Sequence, residues 1–214
     1  MHNVTVAFAA LLVMLLSYFF GCFNGSFMVS HFIIRDDVRK HGSGNAGLTN
    51  FYRTYGAKYA LLVIACDMGK TVAACLLGSF FFRCLGWDGT LGTLLAGLGC
   101  ELGHIFPVFY GFRGGKGILS GWFIAWTIDW RIGLLIGVVF FVTYLITKYV
   151  SLGSVLASIT FAVGFVVFQH DHVYVMAGGI FMGALCVFMH RANILRLIRG
   201  EERKTNLFGK GSKS

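Results

Sequence analysis

Seven mostly apolar stretches, separated by short polar connections, follow one another along the chain. A helix needs about 20 residues to cross the hydrocarbon core of a bilayer, so apolar windows near that size, bounded by charges, indicate membrane spans. The predicted spans are Val4–Ile34, Tyr59–Phe82, Thr90–Tyr110, Ile118–Trp130, Ile132–Thr147, Leu152–Phe168 and Val173–Met189. The pattern therefore predicts an all-α membrane protein with about seven transmembrane helices.

The lengths of these stretches leave the number of crossings open. The first stretch is longer than one crossing, and Gly21, Asn24, Gly25 and Ser26 predict a bend near its end. It has no basic segment before it and no clear small-residue cleavage site after it, so we interpret it as a retained span and not as a signal peptide. Because the last four stretches are short, an alternative with five spans and re-entrant or interfacial segments stays open.

Composition agrees with a membrane protein. The 214 residues are 57% hydrophobic and 13% charged, which leaves too few charges to cover the surface of a soluble domain of this size. A net charge of +9 is compatible with binding to nucleic acid, but the sequence has no zinc-finger, basic-zipper or aromatic RNA-binding signature. We therefore predict no nucleic-acid partner and expect membrane lipid and anionic substrates instead.

The basic residues indicate an orientation, because Lys and Arg gather on the cytoplasmic side of membrane proteins. With seven spans, fifteen of the eighteen fall on one side: Arg35, Arg39, Lys40, Arg53, Lys58, Arg113, Lys116, Lys148, Arg191, Arg196, Arg199, Arg203, Lys204, Lys210 and Lys213. This predicts a multi-pass protein of the cell membrane with its N-terminus outside and its C-terminus in the cytoplasm. The polar, glycine-rich connections then share the cytoplasmic face.

Small residues within the spans have a packing interpretation. Three glycine pairs spaced four apart are typical of close helix–helix contact: Gly99 and Gly103, Gly133 and Gly137, and Gly179 and Gly183. The six cysteines lie in or beside apolar spans without a C-x-x-C pair, so we interpret them as reduced packing residues. No internal repeat supports an inverted-repeat transporter.

The first polar connection, residues 40–50, has the chemistry of a phosphate site. Its glycines let backbone N–H groups turn toward an anion, and its polar side chains add hydrogen bonds and charge. The candidate ligands are Lys40, Ser43, Gly44, Asn45, Thr49 and Asn50, with Arg53 just beyond. Taken alone, the stretch is equally typical of a solvated turn between two helices.

The second polar connection, residues 104–117, ends in Gly114, Gly115, Lys116 and Gly117. Before a helix, this sequence offers free backbone N–H groups, the helix dipole and an ammonium to one anion. The spacing does not match a nucleotide-binding P-loop, so no nucleotide site is predicted. The alternative is a flexible basic loop at the level of the lipid headgroups.

Two further connections contribute polar groups. Ser151 or Ser154 after the fifth span is a helix cap or a phosphate donor. His190, Asn193 and Arg196 are spaced three apart and share one face of a helix. That helix also suits an amphipathic segment that binds anionic lipid, a role compatible with a site.

The order of these motifs resembles that of the bacterial acyl phosphate:glycerol-3-phosphate acyltransferase family. The matching segments are KHGSGNAGLTN with Arg53, GHIFPVFYGFRGGKG at 103–117, VSLGS at 150–154 and HRANI at 190–194. The resemblance covers roughly residues 21–200. It implies a seven-helix transmembrane acyltransferase domain over residues 1–200, followed by a basic cytoplasmic tail over 201–214, which we predict to be disordered from residue 203.

The resemblance also implies an activity: transfer of a fatty acyl group from acyl phosphate to the 1-hydroxyl of glycerol 3-phosphate, giving lysophosphatidic acid for phospholipid synthesis. No nucleotide or metal cofactor is implied, and the enzyme that makes acyl phosphate is a functional partner. The implied catalytic residues are Ser43, Arg53 and Lys116. The substrate-binding residues would be Gly44, Asn45, Thr49, Asn50, His104, Gly114, Gly115, Gly117, Ser154, His190 and Asn193.

Within that site, we expect Ser43 and Arg53 to serve glycerol 3-phosphate and the Gly114–Gly117 loop to serve the acyl phosphate. An acyl phosphate is already activated, so the protein mainly has to hold two anions together and neutralise their repulsion. Deprotonation of the attacking hydroxyl is assigned, by the resemblance, to the phosphate of the substrate itself.

Other polar groups have competing interpretations. His31 and Asp36 match the H-x-x-x-x-D spacing of acyl-CoA-dependent acyltransferases, which we interpret as coincidence. Asp67 and Lys70, three apart in the second span, either neutralise each other or serve function. His104 is either bonded to backbone or in contact with substrate. The segment 170–172, His-Asp-His, predicts an outer polar turn rather than a metal site.

Two other functions fit part of the pattern. A small membrane anion transporter would also place basic, glycine-rich loops at one face. Such a transporter should carry ionisable residues near the midplane of both halves, whereas here they are confined to the second and third spans. A non-catalytic scaffold with a lipid-binding tail would leave the two glycine-rich loops without a role.

Overall fold

The computed structural model describes residues 2–206, which form helices and turns and contain no strand. The helices are α1 (His2–Gly21), α2 (Gly25–Met28), α3 (Leu48–Tyr55), α4 (Ala57–Cys84), α5 (Gly89–Ile105), α6 (Ile118–Ile128), α7 (Trp130–Thr147), α8 (Val150–Phe168), α9 (Val173–Met189) and α10 (Arg191–Ile198). A π-helical turn follows α2 at Val29–Ile34, and short 3₁₀ turns lie at Val38–Lys40 and Val108–Tyr110.

Polar residues act as N-caps and determine where several of the helices begin. The Asn24 side chain accepts from the Phe27 N–H at 3.0 Å and starts α2, so the helix of the first span is interrupted at the place where a bend was predicted. Asp88 and Asp129 cap α5 and α7 in the same way. These caps position the helix ends from which the polar loops extend.

The number of crossings differs from the predicted seven. Each predicted apolar stretch is helical, but within residues 2–206 five helical stretches are long and apolar enough to cross a membrane. They are Val4–Ile34, Ala57–Cys84, Gly89–Tyr110, Trp130–Thr147 and Val150–Phe168, and α9 with α10 makes a sixth if this pair, bent by 54°, counts as one span. The 11-residue α6 is only about 16 Å long, roughly half of the hydrocarbon thickness. The count of seven is therefore not confirmed.

Helix α5 packs against α1 and α4, and α7, α8 and α9 pack in sequence beside them. At the contact with α1, a Cβ on Gly103 would lie 2.0 Å from the Tyr18 carbonyl oxygen, and one on Gly99 would lie 2.3 Å from that of Met14. Only glycine permits such a close approach of two backbones. The predicted packing role of this glycine pair is confirmed, and the other two pairs contact α6 and α8.

Two buried clusters support the fold. The larger lies among α4 to α9 and contains Cys75, Leu94, Ile124, Ala125, Ile132, Ile136, Ala157, Phe161, Phe165, Val175 and Met182. The smaller lies beneath the first polar loop and contains Val29, Val38, Ala46, Phe51, Ala60 and Val63. Large apolar side chains on the outer faces, such as Leu77, Phe80 and Ile146, are more than half exposed, as expected where lipid covers the protein.

Candidate active site

The predicted polar loops meet around one cavity of about 490 Å³. Eleven of the fourteen predicted site residues line it: Ser43, Asn45, Thr49, Asn50, Arg53, His104, Lys116, Gly117, Ser154, His190 and Asn193. Gly44, Gly114 and Gly115 belong to the same loops but do not line the cavity. Four separate connections therefore line one cavity, while their side of the membrane and the role of each residue stay predictions.

Asn50 holds the first loop together. Its side-chain N–H group lies 3.0–3.1 Å from the carbonyl oxygens of Val38, His41 and Asn45, and its oxygen accepts from the Ser43 N–H at 2.9 Å. The side chain is buried, so these bonds replace all its contact with water. Asn50 was predicted to bind substrate, but in the structure its polar atoms are occupied by the loop.

The first and second loops are joined directly. The Asn45 side chain donates to the Gly114 carbonyl oxygen at 3.1 Å, across 69 residues of sequence. Arg39 adds a second link, because its guanidinium donates to the Tyr110 carbonyl oxygen at 2.9 Å. The exposed Ser43 and the half-buried Thr49 lie on the cavity side of this joined pair of loops.

The glycine-rich second loop is held by backbone bonds. The N–H of Gly114 donates to the Ile105 carbonyl at 3.1 Å, and that of Gly115 donates to the His104 carbonyl at 3.0 Å. The prediction of free N–H groups is therefore wrong for these two glycines, because the loop folds back on the end of α5. Gly117 has a φ of +90°, a left-handed conformation that glycine adopts without strain, and α6 starts immediately after it.

A chain of hydrogen bonds connects Lys116 to Glu202, in the segment that follows α10. The Lys116 ammonium donates to the Asn193 side-chain oxygen, and the Asn193 amide donates to Glu202 Oε1 at 3.1 Å. Arg196 Nε donates to the other Glu202 oxygen at 2.7 Å. Burial, together with the nearby Arg196, lowers the pKa of Lys116 to about 8. Burial raises the pKa of Glu202, but the bonds from Arg196 and Asn193 outweigh it, so this pKa lies below its usual value.

The segment 201–206 packs against the rest of the protein. Arg53 Nε donates to Thr205 Oγ1 at 2.8 Å, and its terminal nitrogen donates to the Arg203 carbonyl at 3.0 Å. The Tyr144 hydroxyl donates to the Thr205 carbonyl at 3.0 Å, and the Thr205 N–H donates to the Lys148 carbonyl. The prediction of a disordered tail from residue 203 is therefore wrong for residues 203–206, and residues 207–214 lie outside the described part.

These contacts place Arg53 in a partly enclosed position. Burial lowers the pKa of its guanidinium from the ordinary value. The guanidinium lies near Glu202, Arg203 and Arg196, so three cations and one carboxylate share this end of the cavity. The excess of positive charge suits an anionic ligand.

Hydrogen bonds define the state of His190 and Ser154. The His190 Nδ1 lies 2.8 Å from the Cys186 carbonyl oxygen, which can only accept, so Nδ1 carries a proton and Nε2 is the acceptor of the neutral ring. The Ser154 hydroxyl donates to the Val150 carbonyl at 2.9 Å within α8. Both residues are buried and line the cavity.

Two competing interpretations of polar residues can be judged from contacts. Asp36 accepts from the Tyr55 hydroxyl at 2.9 Å and pairs with His41 at 2.7 Å, whereas His31 stacks on Phe27. His31 and Asp36 are therefore not partners, in agreement with coincidence. Within residues 2–206 no group of three or more His, Cys, Asp or Glu side chains could hold a metal ion, the segment 170–172 included.

Apolar side chains line the rest of the cavity. They come from α4, α6, α7 and α8: Leu61, Ile64, Leu119, Trp122, Phe123, Ile136, Phe140, Phe141 and Ala157. One end of the cavity is thus cationic and polar, and the remainder is lined by aromatic and aliphatic groups. Such a cavity suits a molecule with an anionic head and an apolar chain.

These features define a helical integral membrane protein with a cavity lined by cationic, polar and apolar groups. The sequence profile of the glycerol-3-phosphate acyltransferase family matches residues 11–200. A glycerol-3-phosphate acyltransferase of Finegoldia magna is 37% identical over 187 residues, which cover 87% of this chain and 91% of the relative. One of Thermoanaerobacter pseudethanolicus is 36% identical over 195 residues, covering 91% and 95%. The chain belongs to the glycerol-3-phosphate acyltransferase family.

Solved structures agree with this assignment. The glycerol 3-phosphate form of PlsY (YgiH), an integral membrane glycerol 3-phosphate acyltransferase, is 32% identical with a TM-score of 0.81, and the match covers 94% of this chain and 99% of that one. The lysophosphatidic acid form is 30% identical with a TM-score of 0.78, and that match covers 92% and 96%. The predicted family and an integral membrane fold are therefore confirmed.

Sequence reasoning missed several residues of the site. Glu202 and Thr205 lie in a short polar and basic segment, a composition that is typical of disordered tails. The one signal of a packed segment is the acidic pair Glu201–Glu202 among basic residues. The sequence indicates Asn24 only as part of a bend, whereas in the structure it caps α2 and also approaches His104. Their partners are distant in sequence, so local pattern carries little information about them.

Proposed function

We propose that the protein transfers a fatty acyl group from acyl phosphate to the 1-hydroxyl of glycerol 3-phosphate, releasing lysophosphatidic acid and phosphate. The observation that carries this proposal is the single cavity that joins a cationic end to an apolar remainder. An acyl chain suits the apolar remainder, and two phosphate groups suit the cationic end. Family membership supports glycerol 3-phosphate as the acceptor.

In the proposed reaction, the glycerol 1-oxygen attacks the carbonyl carbon of the acyl phosphate. A new ester C–O bond forms, the bond between the carbonyl carbon and the phosphate oxygen breaks, and phosphate leaves with the electron pair. Lys116 and Arg53 offset the repulsion between the two anions and stabilise the charge on the leaving group. We assign Ser43, Asn45, Ser154, His190 and Asn193 to substrate placement.

The hydroxyl proton passes, in this proposal, to a phosphate oxygen of the substrate. Two carboxylates line the cavity, Asp67 and Glu202. Asp67 pairs with Lys70 at 2.8 Å, and Glu202 is bonded by Arg196 and Asn193. Because both carboxylates are committed to cations and amides, neither is a good general base, which favours a base supplied by the substrate.

We further propose that the cavity faces the cytoplasm of the cell membrane, with the N-terminus outside. Fifteen of the eighteen basic residues fall on the side of the polar loops under the seven-span order, which supports this orientation. Acyl phosphate is a labile mixed anhydride, so the enzyme that makes it is a functional partner on the same side. No nucleotide or metal cofactor takes part in the proposed step.

A donor-competition assay tests the proposal. The full-length protein, purified in detergent, is given radiolabelled glycerol 3-phosphate with either palmitoyl phosphate or palmitoyl-CoA. We expect labelled lysophosphatidic acid from palmitoyl phosphate alone. Product from palmitoyl-CoA would contradict acyl phosphate as the specific donor. Product from neither donor would contradict the proposed acyltransferase function. Lys116→Met, which removes the ammonium, is the negative control.

A further inference from the structure

A buried pair of opposite charges bridges the break between α1 and α2. The Lys70 ammonium donates to the carbonyl oxygen of Gly21, the last residue of α1, at 3.0 Å and to that of Phe23, within the break, at 2.9 Å. The Asp67 carboxylate accepts from the Gly25 N–H at 3.0 Å. Lys70 and Asp67 also pair with each other at 2.8 Å, and both are more than 90% buried. Their charges therefore satisfy the polar groups of the break.

The same pair contacts one nitrogen of a histidine on α5. Lys70 Nζ lies 3.1 Å from His104 Nδ1, the Asn24 amide nitrogen lies 3.5 Å from it, and Asp67 Oδ1 also lies at 3.5 Å. An ammonium can only donate, and the amide nitrogen can only donate. A proton on Nδ1 would face the Lys70 ammonium, its nearest neighbour, whereas the one acceptor nearby, Asp67 Oδ1, lies farther away and already accepts from Lys70 and Gly25. Nδ1 therefore accepts, and the proton of the neutral ring belongs on Nε2.

The other nitrogen of His104 lies at the glycine-rich loop. A Cβ on Gly115 would be 2.1 Å from Nε2, so the ring lies directly against the loop backbone. The hydrogen bonds of His104 within the described residues 2–206 are all made by Nδ1 and none by Nε2, and His104 lines the cavity. A ring N–H at the edge of the cavity, without a partner in the protein, is available to an acceptor on a ligand.

We propose that Lys70 is a positioning residue that holds His104 as the neutral Nε2–H form, and that this N–H donates to a phosphate oxygen of the substrate bound beside the Gly114–Gly117 loop. The identity of that substrate rests on the function proposed above. The state of the histidine does not, because it follows from contacts within the protein.

The arrangement gives the two cavity histidines opposite roles. His190 donates from Nδ1 to a backbone carbonyl and presents an acceptor at Nε2, whereas His104 accepts at Nδ1 and presents a donor. Because the His104 ring is neutral, it adds a hydrogen bond to a phosphate without the repulsion that a charged ring would meet from Lys70. Lys70 thus contributes to the site although it does not itself line the cavity.

Nitrogen NMR tests the state of His104 without reference to activity. The full-length protein is labelled with ¹⁵N-histidine in detergent micelles, and His104→Gln identifies the resonances of this ring among the seven histidines. We expect an unprotonated Nδ1 and a protonated Nε2. A protonated Nδ1, alone or in a charged ring, overturns the proposal, whether or not the protein transfers acyl groups.

A paired variant tests the part played by Lys70. Lys70→Met combined with Asp67→Asn removes the donor without leaving an unpaired buried charge. We expect the His104 resonances to show a larger share of the Nδ1–H form. Unchanged resonances in a folded double variant would reduce Lys70 to a structural role and overturn the proposal.

Two substitutions of His104 test the donor itself. The Gln amide nitrogen reaches about the place of Nε2, whereas the Asn amide nitrogen reaches about that of Nδ1. Loss of a hydrogen bond to a charged group costs about 10- to 100-fold in kcat/KM. We expect His104→Asn to lose this factor, mainly through KM for palmitoyl phosphate, and His104→Gln to retain most activity. Equal losses in two folded variants would overturn the donor role.

Discussion

Asn50 and Ser43 lie in the same loop, yet their side chains have opposite relations to the fold. The Asn50 amide is buried and bonds four backbone groups of the loop. The Ser43 side chain is exposed, and its hydroxyl has no hydrogen bond within the described residues, although its backbone N–H is bonded to Asn50. Because the Ser43 hydroxyl makes no hydrogen bond in the fold, it is available to contact a ligand.

Ser43→Ala should therefore reduce activity without unfolding the protein. We expect kcat/KM to fall by up to about tenfold, the value of one hydrogen bond, with an unchanged melting temperature. Asn50→Ala serves as the contrast, because it leaves buried carbonyls unpaired and should cost about 1–3 kcal/mol of stability as well as activity. Acyl transfer and thermal unfolding in detergent measure both. An unchanged rate in Ser43→Ala would return this residue to a linker role.

Lys116 gives the reaction a dependence on pH. Its pKa of about 8 lies below the ordinary lysine value, so the ammonium is present below pH 8 and is lost as the pH rises through 8. Because kcat/KM reports groups of the free enzyme, it should fall on the alkaline side with an apparent pKa near 8. Lys116→Arg keeps its charge over that range, so its alkaline limb should move to higher pH. If the alkaline limb of Lys116→Arg has the same apparent pKa as that of the unmodified protein, the group that titrates is not Lys116.

At the scale of helices, the contact between α1 and α5 holds the second loop in place. Glycines on α5 allow the two backbones to approach until a side chain no longer fits between them. The end of α5 then carries His104 and accepts the N–H groups of Gly114 and Gly115 through its last carbonyls. The position of the glycine-rich loop thus depends on the contact between α1 and the end of α5.

Gly103→Ala should disrupt this contact. Its new methyl group would lie 2.0 Å from the Tyr18 carbonyl oxygen, so the helices must separate, at a cost of about 1–3 kcal/mol. Gly69→Ala on α4 is the matched control, because nothing lies within 4 Å of the added group and alanine favours a helix. We expect a lower melting temperature and weaker activity for Gly103→Ala alone. Equal melting temperatures for Gly103→Ala and Gly69→Ala would show that α1 and α5 are less tightly packed than the structure indicates.

At the scale of the whole molecule, the segment 201–206 joins helices that are distant in sequence. Thr205 bonds Arg53 of α3 and Tyr144 of α7, while Glu202 bonds Asn193 and Arg196 of α10. Three of these partners line the cavity. The segment therefore fixes the positions of cations that we expect to bind substrate.

Glu202→Gln should weaken both the fold and the site. The substitution removes the charge that pairs with Arg196 in a buried position, so we expect a loss of about 1–3 kcal/mol and a higher KM for palmitoyl phosphate. Glu201→Gln, at an exposed neighbouring position, is the control and should change neither quantity. If the two variants behave alike, the segment does not position the cations.

How well the sequence predicts a feature of this structure depends on how far apart in sequence the interacting residues are. Apolar runs locate the helices and glycine spacing locates their close-packing faces because these signals are local, whereas the partner of each face is not predicted. The motifs around Ser43, Lys116 and His190 predict most of the polar part of the cavity lining. The number of crossings, the bonded amides of Gly114 and Gly115 and the packing of residues 203–206 are not predicted. Each of these depends on which distant backbone groups become partners.

The Lys70–Asp67 pair has a consequence for the biogenesis of the protein. During synthesis, α1 and its break emerge before α4, so the carbonyls that receive the Lys70 ammonium are already present when α4 enters the bilayer. An ionisable residue near the middle of a span opposes insertion by about 2.5–3.5 kcal/mol. We therefore expect α4 to integrate less efficiently when α1 is deleted, as measured by glycosylation of a tag beyond α4. With Lys70→Leu and Asp67→Leu, α4 should integrate equally well with or without α1.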